Sequence, residues 1–168
     1  MTGRDQTTSG FRPVAGFTET RRNLPHLQEP GRAYSLTFRT RHGELPEAAR
    51  RIALDACLFW NGRKCTVHAC VVMADHVHML VTPLPLGSAE RCHSLSEILH
   101  SIKSYSAKRI NELLGREGAL WLDESYDRIV RDQDEFLEKW NYIRNNPVTR
   151  ELAPCSEDYP FLYEEEQC

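Results

Sequence analysis

The sequence predicts an α+β domain in which an antiparallel sheet carries helices packed on one face. Three observations predict it. Apolar residues recur with period two and with period 3.6 in alternating segments, in the order βαββαβα. Turn and cap residues punctuate those segments: Asn61-Gly62, Pro83 with Pro85, Ser94 and Gly115. The 168 residues, 40% hydrophobic and 27% charged, are enough to bury one core.

Taken in order, residues 1–20 mix Gly, Thr, Ser and Arg without periodicity and are expected to form a mobile arm. A single domain over 21–160 follows, then an acidic tail over 161–168. Leu24-Pro25-His26 marks where order begins. Residues 34–38 alternate large apolar with small polar side chains, a first strand. Pro46 suits the first turn of a helix, with Glu44 and Glu47 at its positive end. Ile52, Ala53, Ala56 and Phe59 or Trp60 give that helix its apolar face, and Asn61-Gly62 stops it. Residues 66–73 are rich in β-branched side chains, a second strand. Ala74-Asp75 turns tightly into a third strand over 76–81, ended by Pro83 and Pro85.

Ser94 and Glu97 form a capping box for a helix through Leu95, Ile98, Leu99, Ile102, Tyr105 and Ile110, closing at Gly115. Trp121 falls in a short strand or turn ahead of a strand over 126–130. The last helix starts near Asp132 or Asp134 and runs through Phe136, Leu137, Trp140, Tyr142 and Ile143. It is expected to end at about Asn146, because Pro147 disfavours helix in the residue before it. The order of elements is ferredoxin-like.

Composition narrows the function classes. No apolar run approaches the roughly 18 residues of a spanning helix. Residues 1–10 are polar, so no secretory signal is expected and a cytoplasmic location is. Cys57, Cys65, Cys70, Cys92, Cys155 and Cys168 include no CxxC pair, which argues against a structural zinc and for reduced thiols. The net charge is -3, yet Arg21, Arg22, Arg32, Arg39 and Arg41 face only Glu29 within their stretch, while Glu164, Glu165 and Glu166 load the carboxyl end. That distribution neither requires nor excludes a nucleic-acid partner.

Two constellations could carry chemistry. His76 and His78, two apart on a predicted strand, leave the same face and can share a divalent metal. The same spacing also fits a structural pair behind a core of Val77 and Met79. Tyr142 and Asn146 are i and i+4 on the last helix, where a carboxamide oxygen suits a hard cation and a phenol beside it can act as a nucleophile. Equally, Tyr142 could pack in the core and Asn146 could simply end the helix. His68 has no sequence partner and reads as a surface or packing residue. Tyr105, whose i+4 partner is Arg109, is a weaker rival nucleophile and by its spacing with Ile98 and Ile102 a packing residue.

Asp75-His76-Val77-His78 followed by Tyr142-Ile143-Arg144-Asn145-Asn146-Pro147 resembles the single-tyrosine HUH transposases, and more closely the REP-associated tyrosine transposases. Leu24-Pro25-His26, Met73-Ala74, Ile102-Lys103-Ser104-Tyr105, Trp121 and Tyr126-Asp127-Arg128 extend the likeness over about 24–160. Ala74 stands where relatives often have proline, a change confined to the turn. The resemblance implies an HUH endonuclease fold. It also implies a metal site of His76, His78 and Asn146 for Mg²⁺ or Mn²⁺, with Tyr142 as nucleophile forming a 5′-phosphotyrosine. The implied partner is single-stranded or hairpin-forming DNA. The implied assembly is a monomer with the tyrosine acting in cis, a dimer being the alternative; no membrane is involved. Arg21, Arg22, Arg32, Arg39, Arg41, Lys103, Lys108 and Arg109 are expected DNA backbone contacts, and Trp121 or Tyr126 could stack a base. Two other readings are a hairpin-binding module that no longer cuts and an HxH metal hydrolase barrel. The chain is too short for the second, which needs roughly 250 residues.

Overall fold

The computed structural model describes residues 18–22 and 24–165, with backbone alone at 18–22, 24–27 and 88–89. A hairpin of β1 (Thr18–Arg22) and β2 (Leu24–Gln28) comes first, so β1 begins inside the stretch expected to be an arm. Next are β3 (Tyr34–Thr40), α1 (Glu47–Leu58), β4 (Cys65–Val72) and β5 (His76–Pro83). A small hairpin, β6 (Pro85–Leu86) and β7 (Ser88–Cys92), leads to α2 (Leu95–Leu114). Then follow β8 (Trp121–Ile129), α3 (Gln133–Thr149) and a short β9 (Leu162–Glu164). The main sheet has five antiparallel strands in the order β8-β3-β5-β4-β9. The fold is therefore α+β, with the βαββαβα core in its expected order.

Alternation decides what each face of the sheet meets. Tyr34, Leu36 and Phe38 of β3 and Val77, Met79 and Val81 of β5 are buried on one face. Trp121 packs its ring edge on Phe38 at 4.9 Å and donates Nε1–H to Ser106 of α2 at 2.9 Å, which places α2 on that face. Helix α1 packs beside α2 through Ala49, Ala53, Ala56 and Cys57, whose small side chains allow close approach. Each large apolar side chain buried there contributes roughly 1.5–3 kcal/mol. The other face carries Ser35 and Thr37 of β3 and His76, His78 and Thr82 of β5, and α3 lies against it. Helices α1 and α2 thus share one face, whereas α3 lies on the opposite one, where the expectation had placed the helices together on one face.

Several local expectations change. Pro46 is the N-cap of α1, one residue outside the helix, and Phe59 is exposed beyond its end, so the buried stripe is set by alanines rather than aromatics. Trp121 does not sit in a separate turn; it opens one long strand that bulges against Phe38 and Thr40. Helix α3 continues through Pro147 to Thr149 instead of ending at Asn146. Proline there removes one N–H near the helix end, and the turn is closed from beyond it by Arg150 N–H to the Asn146 carbonyl (3.1 Å) and Leu152 N–H to the Pro147 carbonyl (2.8 Å). The Ser94 cap of α2, accepting from the Glu97 N–H, and the left-handed Gly115 that ends it are as the sequence predicts.

Candidate active site

The two histidines reach one face because β5 is extended, and their rings stand edge to face, centroids 4.7 Å apart. His76 is 3% exposed. Its Nδ1 lies 2.5 Å from Asp75 Oδ1 and that of His78 lies 2.7 Å from the Thr37 hydroxyl. Thr37 is the register partner of His78 across β3 and β5. Each Nδ1 is thereby committed, and neither Nε2 has a protein partner among the described residues, which leaves both Nε2 atoms available to a ligand. Burial, His76, Arg39 and Arg150 together push His78 down to about 4, so the ring is neutral and able to ligate near pH 7. Burial alone would raise Asp75, but its hydrogen bond to His76 and the nearby charges of His76 and Arg39 outweigh that and hold the carboxyl below its usual range.

Helix α3 brings the second constellation to the first. The Tyr142 ring meets that of His78 edge-on at 5.2 Å and is 52% exposed, so the phenol is open to a ligand while its ring is held against the histidine. One turn on, Asn146 is 5% exposed and its Oδ1 is buried with no hydrogen-bond partner. An orphaned carboxamide oxygen of this kind costs on the order of 1–3 kcal/mol unless something satisfies it. Among the described residues no three His, Cys, Asp or Glu side chains gather to hold a metal. By donor type, two imidazole nitrogens and one buried, unpartnered carboxamide oxygen fit a divalent cation, a borderline-to-hard set.

Salt links hold α3 in place. Arg144 reaches Glu164 of β9 at 2.9 Å and also Glu157, and Glu135, buried at the start of α3, pairs with Arg128 of β8 (3.1 Å) and Arg131 (3.0 Å). On the sheet side of α3, His68 stacks edge-on with Phe136 at 5.0 Å, its two ring nitrogens engaged by Glu165 and Thr82. Concavities open on both sides of Tyr142. One, of about 390 Å³, is lined by Glu138, Asn141, Asn145, Asn146, Thr149 and Arg150; the other, of about 360 Å³, by Ser35, Thr37, His78, Tyr126, Arg128 and Lys139.

The remaining sequence candidates scatter. Arg39 lies across from His76 in the sheet and 3.9 Å from Asp75. Arg32 pairs with Glu29, Arg41 with Asp123 and Arg109 with Glu112. Lys103 directs its ammonium to the carbonyls of Leu122 and Asp123 and to the Ser125 hydroxyl, bracing the β8 bulge. Lys108 is exposed on the same helix, on the face of the sheet away from the histidines. Arg21 and Arg22 have side chains outside the described residues. Trp121 is buried in the core, whereas Tyr126 is 69% exposed on the histidine face. Tyr105, expected to pack, is 56% exposed, but α2 holds it on the far face from His78. Thr37 and Arg150 were not singled out by the sequence. Thr37 is a polar member of the β3 alternation, but only the β3–β5 register sets it against His78; nothing local marks Arg150.

The family model described as "Transposase IS200 like" matches residues 42–146. Among solved structures, a REP-associated tyrosine transposase bound to a REP hairpin superposes with a TM-score of 0.63 at 22% identity, over 86% of this chain and 81% of that one. The likeness bears out the fold, a five-stranded antiparallel sheet with three helices. A proposed transposase from Deinococcus radiodurans R1 gives a TM-score of 0.45 at 21% identity, over 76% of this chain and 97% of that one. No curated protein matches the chain.

Proposed function

The chain belongs to the IS200-like transposase family, and from that premise we propose that it cuts and rejoins single-stranded, hairpin-forming DNA through Tyr142. His76, His78 and Asn146 hold the divalent cation. The observation that carries this reading is the Tyr142 ring seated 5.2 Å from that of His78, on the helix that one turn later buries the unpartnered Asn146 oxygen. Bound Mg²⁺ or Mn²⁺ supplies Lewis-acid stabilisation of charge on the scissile phosphate. Asp75 and Thr37 fix the two imidazoles, and the packing of α3 on β5 fixes the phenol.

The Tyr142 oxygen, its proton released to solvent, forms a bond to phosphorus as the bond from phosphorus to the 3′ oxygen breaks. The leaving oxygen takes a proton, which gives a 5′-phosphotyrosine and a free 3′-hydroxyl. One phosphoester replaces another, so a 3′-hydroxyl can attack the linkage and reseal the strand. The assembly in this reading is a monomer with Tyr142 acting in cis. The REP hairpin on the solved relative supports hairpin DNA as the partner.

The test is incubation with hairpin-bearing single-stranded oligonucleotides and Mg²⁺ or Mn²⁺, then denaturing electrophoresis. A covalent protein–DNA adduct is expected, lost in Tyr142→Phe and on chelation, and retained in Tyr105→Phe. Loss in Tyr105→Phe alone, or no adduct with any hairpin, overturns the reading.

A further inference from the structure

Arg39 stands on the histidine face of the sheet with its hydrogen-bonding capacity unspent. It follows Thr37 in the β3 alternation, so its side chain leaves the face that carries the histidines, and register sets it directly across from His76. Cross-strand partners of that kind hold their Cβ atoms roughly 5 Å apart. We propose that Arg39 is a catalytic residue, its guanidinium donating to a non-bridging oxygen of the scissile phosphate and stabilising the charge that builds there as Tyr142 attacks. The proposal rests on the reading of Tyr142 as nucleophile.

Pairing separates Arg39 from its neighbours. Arg32, Arg41, Arg109, Arg128 and Arg144 each meet a carboxylate oxygen at 3.2 Å or less. Arg39 is half-exposed, lies 3.9 Å from Asp75 Oδ2 and donates no side-chain hydrogen bond among the described residues. The other Asp75 oxygen is 2.5 Å from His76 Nδ1, so the carboxylate is committed to the imidazole. What remains for the guanidinium is a loose, solvent-screened ion pair. Five N–H donors in a planar, permanently charged fork are thus free beside the metal-binding pair, and phosphate oxygens match that fork.

Charge explains why the contact belongs to the reaction and not to anchoring. Burial and His76 are the first causes that keep His78 neutral, and the charge of Arg39 adds to them, so its field reaches the later histidine as well as the earlier one. A fixed cation beside a site for a second cation is unfavourable until an anion joins them. The scissile phosphate is such an anion, and its equatorial oxygens gain charge as the phenol adds. The contact therefore strengthens toward the transition state, where it raises the rate more than the affinity. In the step itself the Tyr142 oxygen bonds to phosphorus and the bond to the 3′ oxygen breaks. Arg39 gives up no proton, since it donates to an oxygen that stays on phosphorus.

The experiment uses full-length protein and hairpin-bearing single-stranded oligonucleotides with Mn²⁺. Single-turnover adduct formation is expected to slow about 10²–10³-fold in Arg39→Ala and to recover in part in Arg39→Lys, which restores the charge without the fork. Binding of the same oligonucleotide, read by anisotropy in the Tyr142→Phe background, is expected to stay nearly unchanged, as are its salt dependence and the Mn²⁺ dependence of the rate. A second substrate carries a methylphosphonate at the scissile position, with a methyl group in place of one charged oxygen. With one of its two diastereomers the difference between wild type and Arg39→Ala is expected to vanish. An unaltered rate in Arg39→Ala, a loss that higher Mn²⁺ reverses, or a full-sized loss with both diastereomers overturns the proposal. So does weakened binding with an unchanged rate from the bound complex, which is the behaviour of a backbone anchor. No adduct from wild type on any hairpin removes the cleavage reading and this assignment with it, whereas an adduct indifferent to Arg39 removes the assignment alone.

Discussion

At His76 and His78 the same imidazole atom, Nδ1, is committed to a neighbour, and the neighbours differ in strength. Asp75 offers a carboxylate at 2.5 Å, Thr37 a hydroxyl at 2.7 Å. Asp75→Asn keeps the shape and removes the charge; its expected effect is a 10–100-fold loss of Mn²⁺ affinity by calorimetry, with little change in fold. His78 carries the pH dependence. In the metal-free folded chain it takes a proton only near pH 4, whereas the unfolded histidine takes one near 6.5. The unfolded state binds more protons between those values, so stability falls as pH drops through that window, by up to ~3 kcal/mol, and is indifferent to His78 above it. Denaturant titrations across that range are expected to show the slope, and His78→Gln to flatten it. The two histidines were legible as HxH in a strand. Thr37 was not, because its role depends on register with His78, which is a property of two strands distant in sequence.

Among the elements, α3 decides whether the site exists, since it alone carries Tyr142 and Asn146 over the histidine strand. Its far end is tied down by Arg144, two residues beyond Tyr142, through Glu164 and Glu157. Arg144→Ala is expected to cost about 1 kcal/mol of global stability, in keeping with partly exposed ion pairs. Its larger expected effect is faster amide exchange along the last turns of α3 and slower adduct formation, read by hydrogen-exchange mass spectrometry and a time course. Unchanged exchange in α3 would show that sheet packing alone seats the helix. The start of α3 and its apolar stripe were legible from Asp132 and the 3.6 spacing. Its end was not, because Pro147 was weighed by local preference, and closure of that turn comes from Arg150 and Leu152 beyond it.

For the molecule as a whole, hydrophobic pattern was enough to order β3, α1, β4, β5, α2, β8 and α3, since each has an apolar face or run of its own. It was silent on β9, three residues long and paired only because the chain returns to the β4 edge, and on the β6–β7 hairpin, which has no apolar stripe. No helix among the described residues is long and apolar enough to cross a membrane. Two unlike faces divide the work: one packs α1 and α2 into the core, and the other carries His76 and His78 beside the buried Val71 and Leu80, with α3 covering it. The most direct test of that arrangement is to digest the protein–DNA adduct with trypsin and locate the nucleotide by mass spectrometry. The account predicts a phosphonucleotide on the peptide over 140–144, Trp-Asn-Tyr-Ile-Arg, at Tyr142. A phosphonucleotide on the 104–108 peptide, which carries Tyr105, would contradict it.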